Sequence, residues 1–341
     1  MKTSTISKLL GLTLAAGGLL AQTAAAQISI DFVPVGNAGN AADTTTYGAV
    51  GYDYGIGKYE VTLNQYSTFL NAVGATDTYG LYNANMAANV NIAGIARSGV
   101  SGSYTYAVIG SGARPVTYVS WYDSARFVNW LQNGQPTGLQ LAGTTETGAY
   151  TLTGNTGIIL RNAGWVYGLP SEDEWYKAAY HQPAGQGGDV DNYWLYPTAN
   201  NAIPNSRNGS ASDPNSANFF RDVAPVDGVN DGYAVSGSTS FPTGNALTDA
   251  GAFSLADSFY GTFDQGGNVR EWNDAVISGS SRGWRGGAWV NGVGGLRASA
   301  RGSDDPAGED NIVGFRVAIV PEPTVVGLMA LGIIVLARKR K

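Results

Sequence analysis

The sequence predicts an α+β fold with few short helices, small twisted sheets and much irregular loop, and three observations support this. Glycine accounts for 48 of the 341 residues and charged residues for only 13%, which favours turns and loops over long helices. Capping boxes, in which a Ser or Thr is followed three residues later by a Gln, Asp or Glu, mark the starts of three helices. Extended apolar segments precede these helices and return near the end of the chain.

The helices and strands are short. The capping pairs are Thr62 with Gln65, Ser120 with Asp123, and Ser171 with Glu174. After Thr62, apolar residues recur at the three- and four-residue spacing of a buried helix face. Gly134 is the expected end of the second helix. Extended segments are expected at 52–61, 114–119, 164–169, 283–290 and 314–320.

The composition excludes several classes of function. A net charge of −6 argues against a nucleic-acid partner, whose backbone attracts basic surfaces. The chain has no cysteine, which excludes disulfides, thiol nucleophiles and thiolate metal sites. His181 is the single histidine, so zinc and iron sites built from several histidines are excluded as well.

Residues 1–26 have the features of a secretory signal peptide. Lys2 and Lys8 supply the positive start, an apolar run follows at 9–20, and small residues at 24–26 form a cleavage site. We therefore expect export across the inner membrane, with the domain occupying 27–320.

The last segment, 321–341, combines Pro-Glu-Pro at 321–323, an apolar helix at 324–337 and a basic tail at 338–341. A plain C-terminal membrane anchor is one interpretation, although the helix is shorter than the ~20 residues of a usual span. The three parts in this order resemble the PEP-CTERM sorting signal of Gram-negative bacteria. That resemblance implies transient membrane anchoring, processing by an exosortase-type machinery, and a destination at the cell surface or outside the cell, among extracellular polysaccharide.

The stretch GTFDQGGNVREW, at 261–272, combines two carboxylates with three glycines and an asparagine. It is too polar for a core strand and too rich in glycine for a helix. Asp264 and Glu271 could converge with main-chain carbonyls on a Ca²⁺ ion, which takes six to eight oxygen ligands. Alternatively, the two carboxylates cap backbone amides within a tight loop. The residue types alone leave both interpretations open.

Five blocks in order resemble the formylglycine-generating enzyme, or sulfatase-modifying factor, domain. The blocks are GKYEVTLNQYSTFLNAV from Gly57, RPVTYVSWYDSARFVNWL from Arg114, YGLPSEDEWYKAAYH from Tyr167, YGTFDQGGNVREW from Tyr260, and RGGAW from Arg285 with VGFRVA from Val313. The resemblance spans 52–320. It implies one domain with a C-type-lectin-like fold.

The resemblance also implies two structural calcium sites. The first would use Asp264, Gly267, Val269 and Glu271. The second would use Asn218, the carbonyl of Phe219, Asp231 and the carbonyl of Tyr233. For the second site, ordinary Asn and Asp turns are the alternative.

Catalysis by the family's known route is not expected. Formylglycine-generating enzymes bind copper through a cysteine pair shortly after the block RGGAW, where this chain has Asn-Gly-Val-Gly-Gly-Leu at 291–296. Neither Asn nor Gly replaces a thiolate as a soft copper ligand. Iron is not supported either, because the iron-binding relatives carry histidines on a separate helical domain that this chain lacks. The chain is therefore expected to be a pseudoenzyme with respect to formylglycine formation, and no catalytic residue is assigned.

Other polar and aromatic residues have structural explanations that we favour over functional ones. The acidic run at 172–174 falls in the first turn of a helix, where it complements the helix dipole. His181 is expected to make a surface or loop contact. Five arginines near the C-terminal strands are expected to pair mostly with Asp304, Asp305 and Glu309, or to face an anionic or sugar ligand; they are Arg270, Arg285, Arg297, Arg301 and Arg316. Three tryptophans could stack on sugars, although core packing is the commoner use; they are Trp272, Trp284 and Trp289.

Three functions are compatible with these residues. The first is a calcium-stabilised module that binds extracellular polysaccharide or a peptide at the cell surface. The second is an oxidoreductase of the same superfamily with altered, non-cysteine chemistry. The third is a structural component of the envelope. The missing cysteines favour the first over the second, and the sorting signal favours it over the third.

Overall fold

The computed structural model describes residues 27–153, 158–206, 213–221 and 232–320, and both predicted signal segments lie outside these ranges. The helices of the described part are α1 (Leu63–Val73), α2 (Asn85–Ala88), α3 (Trp121–Gln132) and α4 (Glu172–Tyr180). The strands are β1 (Phe32–Val35), β2 (Tyr54–Gly57), β3 (Ile95–Ser98), β4 (Thr105–Val108), β5 (Tyr167–Gly168), β6 (Phe220–Arg221), β7 (Gly232–Tyr233), β8 (Arg270–Ser278), β9 (Ser281–Arg285), β10 (Gly302–Asp304), β11 (Val313–Phe315) and β12 (Ala318–Ile319). Short elements joined by long irregular segments confirm the α+β class.

The three predicted helices are confirmed at their predicted starts. Thr62, Ser120 and Ser171 each accept a hydrogen bond from the backbone three residues later, and the side chain found there reaches back to the cap residue. Each box satisfies two backbone amides that the first helical turn leaves without partners. After α3, Gly134 adopts a left-handed φ of 83°, which ends the helix as expected.

Two small sheets form the framework. In one sheet the strand order is β1-β2-β12-β5 and all pairs are antiparallel. In the other the order is β10-β9-β8-β11, with β11 parallel to β8. The chain passes from β11 in one sheet to β12 in the other through Arg316 and Val317. The backbone amide of Gly57, at the end of β2, donates to the Val317 carbonyl (2.7 Å), and that of Val61 donates to the Phe315 carbonyl (2.9 Å). These two hydrogen bonds hold the crossing segment against the end of β2 and the residues that follow it.

The strand predictions are partly confirmed. Strands β2, β5, β9, β11 and β12 fall within or across the expected extended segments. The segment 114–119 has no strand and makes only an isolated bridge between Pro115 and Thr62. The nine-residue strand β8 was missed, because it begins inside the polar stretch 261–272.

The largest core cluster lies between α1, α3 and the strand β11. Phe127 meets Phe69 and Phe315 edge to face, with ring centroids 5.3 Å apart in both pairs. Burial of side chains of this size contributes about 1.5–3 kcal/mol each relative to exposure. Among the described residues, no helix has the length and apolar character needed to cross a membrane, and the predicted membrane helix at 324–337 lies outside them.

Candidate functional site

The stretch 261–272 divides into a tight loop and the start of β8. Asp264, Gly267 and Asn268 all adopt left-handed φ angles, between 56° and 91°. A Cβ atom on Gly267 would lie 2.3 Å from the carbonyl oxygen of Asn218, so only glycine fits there. From Arg270 onward the chain is extended and pairs with β9 and β11. The expectation that the whole stretch is too polar for a core strand is therefore wrong for its last three residues.

Glu271 is fully buried and its carboxylate is already paired. The guanidinium of Arg316 donates to it in a two-pronged arrangement, from Nε to Oε2 (2.5 Å) and from Nη2 to Oε1 (2.7 Å). The indole of Trp175 donates a third bond, 2.7 Å long, to Oε2. Arg316 also donates to the carbonyls of Gly57 and Phe263. A bidentate, fully desolvated pair of this kind fixes both side chains.

Two more carboxylates adjoin this pair, and one of them was not predicted. Glu60 is 2% exposed, and its Oε1 accepts a bond of 3.3 Å from the side chain of Asn268. Its Oε2 is buried and has no hydrogen-bond partner among the residues that the structure describes. Burial, together with the charges of Asp264 and Glu271, raises the pKa of Glu60 well above its usual value. The sequence signal was a glutamate at the end of the extended segment that leads into α1.

Asp264 lies in the same environment. Its Oδ2 accepts a 2.6 Å bond from the backbone amide of Gly251. Burial raises its pKa to about 6, and the hydrogen bond from Gly251 and the charge of Arg316 only partly oppose this. Three carboxylates thus lie within the electrostatic influence of one guanidinium, which binds only Glu271 directly, and their charges exceed its own by two when all are ionised. We call Glu60, Asp264, Glu271 and Arg316 together the carboxylate cluster.

Asn268 joins the carboxylate cluster to Asn218 of the second predicted calcium site. Its side-chain oxygen accepts a 3.0 Å bond from Asn218, and its backbone amide donates to the Asn218 carbonyl at 2.7 Å. The two predicted sites are therefore neighbours. In the second one, the Phe219 carbonyl accepts a 2.5 Å bond from Ser206, and the Tyr233 carbonyl accepts bonds from two backbone amides. Asp231 lies outside the described residues.

The oxygen atoms of the first predicted site suit calcium in part. Within the described ranges, no hydrogen bond reaches the carbonyl oxygens of Gly267 and Val269, and Asp264 Oδ1 receives none either. Both residues with free carbonyls are buried. In the same ranges, no three acidic or histidine side chains come together as a ready cation cluster. Calcium would therefore depend on main-chain carbonyls, which it accepts readily, while Glu271 is committed to Arg316.

A groove of about 340 Å³ lies on the other side of β8. Its lining residues are Arg270, Trp284, Gly287, Asn291, Gly292, Gly294, Gly295, Ala300 and Arg301. The guanidinium of Arg270 lies 4.0 Å from the centre of the Trp284 ring, and its Nε donates to Asn291 at 3.1 Å. The indole nitrogen of Trp284 donates to Asp304 at 3.0 Å. The groove therefore has a cation–π pair at one side and a glycine-rich floor.

The residues of these two regions belong to one recognised domain. A family model described as the sulfatase-modifying factor enzyme 1-like domain matches residues 13–320. The chain belongs to this family. The resemblance predicted from the five sequence blocks is thereby confirmed, and so is the predicted formylglycine-generating-enzyme fold.

Several solved structures are similar to this family member. Treponema denticola variable protein 1 is 17% identical with a TM-score of 0.47, covering 87% of this chain and 98% of that one. CarF is 20% identical with a TM-score of 0.46, covering 85% and 98%. PvdO from Pseudomonas aeruginosa is 16% identical with a TM-score of 0.42, covering 85% and 91%. No curated protein sequence matches the chain at a significant level.

In this sulfatase-modifying factor-like domain, the stretch that replaces the expected cysteine pair lines the groove. Residues 291–296 include a short 3₁₀ turn, Val293–Leu296, and Leu296 is fully buried. The carbonyl of Asn291 accepts a bond from the amide of Phe220, and that of Leu296 accepts one from the Tyr180 hydroxyl. The side chains here are an amide and aliphatic groups, and none of them is a soft metal ligand.

The arginines near the C-terminal strands are mostly structural, but their predicted partners were wrong. The Nε atom of Arg285 donates to the carboxylate of Glu172 at 2.8 Å. Arg301 donates two further hydrogen bonds to the same carboxylate. Glu172, at the first position of α4, therefore holds two arginines besides facing the helix dipole. Asp304 instead accepts from Trp284, and Glu309 accepts from Asn83.

His181 makes a loop contact, one of its two expected roles, and two of the three tryptophans pack in the core, which was the favoured use. His181 is 4% exposed, and its Nδ1 is 2.8 Å from the Tyr260 hydroxyl, so it is not a surface contact. Burial, reinforced by the charge of Lys177, lowers its pKa to about 4 and keeps the ring neutral. Trp272 and Trp289 are both 1% exposed and belong to the core. Of the three tryptophans considered for sugar stacking, only Trp284 faces a groove.

Proposed function

We propose that this chain is an exported binding domain of its family, without copper-thiolate chemistry, that holds its ligand in the groove beside Trp284. The observation that supports this most is the groove itself. It joins the indole of Trp284 and the guanidinium of Arg270 to a floor of glycines, in a chain without cysteine. Because Arg270 covers one face of the Trp284 ring and Gly302 packs against it as well, a ligand would meet the guanidinium and the ring edge, which suits donation to the oxygen atoms of a sugar.

The ligand that we propose is extracellular polysaccharide, with a peptide as the alternative occupant of the same groove. This choice follows from the predicted signals at 1–26 and 321–341, which would export the chain and pass it to an exosortase-type sorting machinery. The helix at 324–337 would anchor the protein to the membrane before processing. Calcium in the loop 261–272 would serve as a structural ion that stabilises the scaffold beneath the groove.

A glycan and peptide array, probed with the purified protein with and without calcium, tests the proposal. We expect binding to an acidic or neutral glycan, and a loss of about tenfold in affinity for Trp284→Ala. Trp165→Ala is the matched control, because Arg161 stacks on Trp165 at 4.2 Å outside the groove. A glycan that binds the Trp284 variant as tightly as the wild type would place recognition elsewhere. A peptide as the only ligand would support the alternative occupant.

Copper chemistry provides a second test. We expect the purified protein, supplied with Cu(I) and a cysteine-containing peptide, to consume oxygen no faster than copper and peptide without protein. The physical reason is that the stretch 291–296 has only an amide and aliphatic side chains, whereas copper needs soft ligands. Stoichiometric copper or iron, together with thiol-dependent oxygen consumption, would contradict a binding role and favour an altered oxidoreductase.

A further inference from the structure

The carboxylate cluster has more negative charge than its own arginine neutralises. The Nε and Nη2 atoms of Arg316 both donate to the carboxylate of Glu271. The same guanidinium also donates to the main-chain carbonyls of Gly57 and Phe263. The ammonium group of Lys58, in the same segment as Glu60, lies over the rings of Tyr59 and Phe263, at 5.4 and 5.3 Å from their centres. Among the described residues, no ion pair involves Glu60 or Asp264.

Free oxygen atoms coincide with this excess charge. Glu60 is 2% exposed, and no described residue gives its Oε2 a hydrogen bond. Leaving a buried carboxylate oxygen unpaired costs several kcal/mol in general, so such groups are normally protonated or bound to a cation. Asp264 Oδ1 and the carbonyls of Gly267 and Val269 are also free of hydrogen bonds within the described residues.

We infer that Glu60 supplies a carboxylate ligand to a calcium ion in the loop 261–272, and that Glu60 and Asp264 balance its charge. Glu271 is balanced by Arg316 and acts as the scaffold that holds β8 and the crossing between the sheets in place. Two carboxylates match the charge of one divalent cation, and a set of carboxylate and carbonyl oxygens is the set that calcium prefers. This inference rests on the calcium part of the proposed function and adds a ligand outside the loop.

The position of Glu60 explains why it can take this role. It follows β2 and precedes Thr62, the residue that caps α1. Asn268 holds Glu60 Oε1, which leaves Oε2 as the free atom. A calcium ion here would join the segment between β2 and α1 to the loop before β8, which are more than 200 residues apart in the sequence.

Calcium-dependent stability of the purified full-length protein tests the inference. After treatment with a chelator, the wild type is titrated with calcium while its melting temperature is followed. We expect a rise in melting temperature, and we expect Glu60→Gln to weaken the apparent calcium affinity at least tenfold. Glu146→Gln is the matched control, since Glu146 is another buried glutamate, bound by Arg126 at 2.8 Å. It should lower the melting temperature and keep the calcium-dependent rise.

The outcomes separate the inference from the wider proposal. If Glu60→Gln responds to calcium as the wild type does, the role of Glu60 is wrong while calcium binding stands. If the wild type does not respond, both calcium statements are wrong, and the groove is still judged by its own array. If Glu60→Gln does not fold, Glu60→Asp replaces it, because it keeps the charge but withdraws the oxygen atoms. Unchanged calcium affinity in Glu60→Asp would then overturn the inference.

Discussion

The two faces of β8 differ in how completely their charges are paired. On one face, Glu271 is fully buried and bonded to Arg316 and Trp175. On the other, Arg270 lies over the half-buried ring of Trp284, at the edge of a groove. Because successive side chains of a strand point to opposite faces, one short sequence supplies both environments.

This difference teaches that a family signature can be retained for its contribution to the fold. The residues of the buried face fasten β8 to α4 and to the crossing between the two sheets. The face of Arg270 is not uniformly open, because Trp272 on the same face belongs to the largest core cluster and Trp284 packs against that cluster. A chain without cysteine at 291–296 nevertheless has the scaffold of its family.

The largest effect is expected from Arg316→Met, which leaves Glu271 buried without its cation. We expect a loss of about 3–5 kcal/mol in the free energy of unfolding, measured by urea denaturation. Arg97→Met is the control, since Arg97 pairs with Asp77 at 3.2 Å but is 30% exposed, and about 1 kcal/mol or less is expected there. Equal losses for the two variants would show that the fully buried pair is no more important than a pair whose arginine is partly exposed.

A smaller loss is expected from Gly267→Ala. The left-handed φ of 91° and the approach of a Cβ to 2.3 Å from the Asn218 carbonyl act together there. We expect a loss of about 2–3 kcal/mol in unfolding free energy. Gly279→Ala shares the left-handed conformation, with φ of 59°, but has open space around it, so about 1 kcal/mol is expected. If both variants lose the same amount, contact with Asn218 does not constrain the loop.

The smallest effect concerns pH and the neutral His181. Its pKa is lowered to about 4 in the folded protein, whereas an unfolded histidine titrates near 6.5. The unfolded state therefore takes up a proton first as the pH falls, so stability is present above about 6.5 and is lost progressively towards 4.

The size of this effect follows from the shift. About 1–2 kcal/mol is expected after allowance for solvent. The measurement is the difference in unfolding free energy between the wild type and His181→Asn across this range, which cancels the shared titration of carboxylates. A difference that does not change with pH would show that His181 is not kept neutral by the fold.

Local features of the fold could be predicted from the sequence, because their causes are local. The capping boxes at Thr62, Ser120 and Ser171 act over three residues, and all three helices begin where these boxes predict. Strand β8 was missed because its first residues are charged. The buried charge of Glu271 is tolerated in the strand because Arg316, 45 residues further along, pairs with it.

The site residues also divide into those with a local signal in the sequence and those that depend on distant residues. The calcium candidates within 261–272 came from residue types and from resemblance to the family, and they stay predictions. Glu60 was not among the candidates, because its contact with Asn268 joins residues 208 positions apart. The partners of Arg285 and Arg301 were also misjudged. Both bind Glu172, which lies more than 100 residues earlier in the chain, whereas the sequence suggested acids nearby.

By itself, the sequence determined the α+β class, the three helix starts, the family and the absence of thiol chemistry. Each of these depends on composition or on patterns within a few residues. Only the tertiary structure decided that Glu271 forms an ion pair with Arg316 and that Trp284 lines a groove. It also decided that, among the described residues, Glu60 Oε2 receives no hydrogen bond. Burial and ion pairing are set by distant parts of the chain that folding brings together, and no local pattern encodes them.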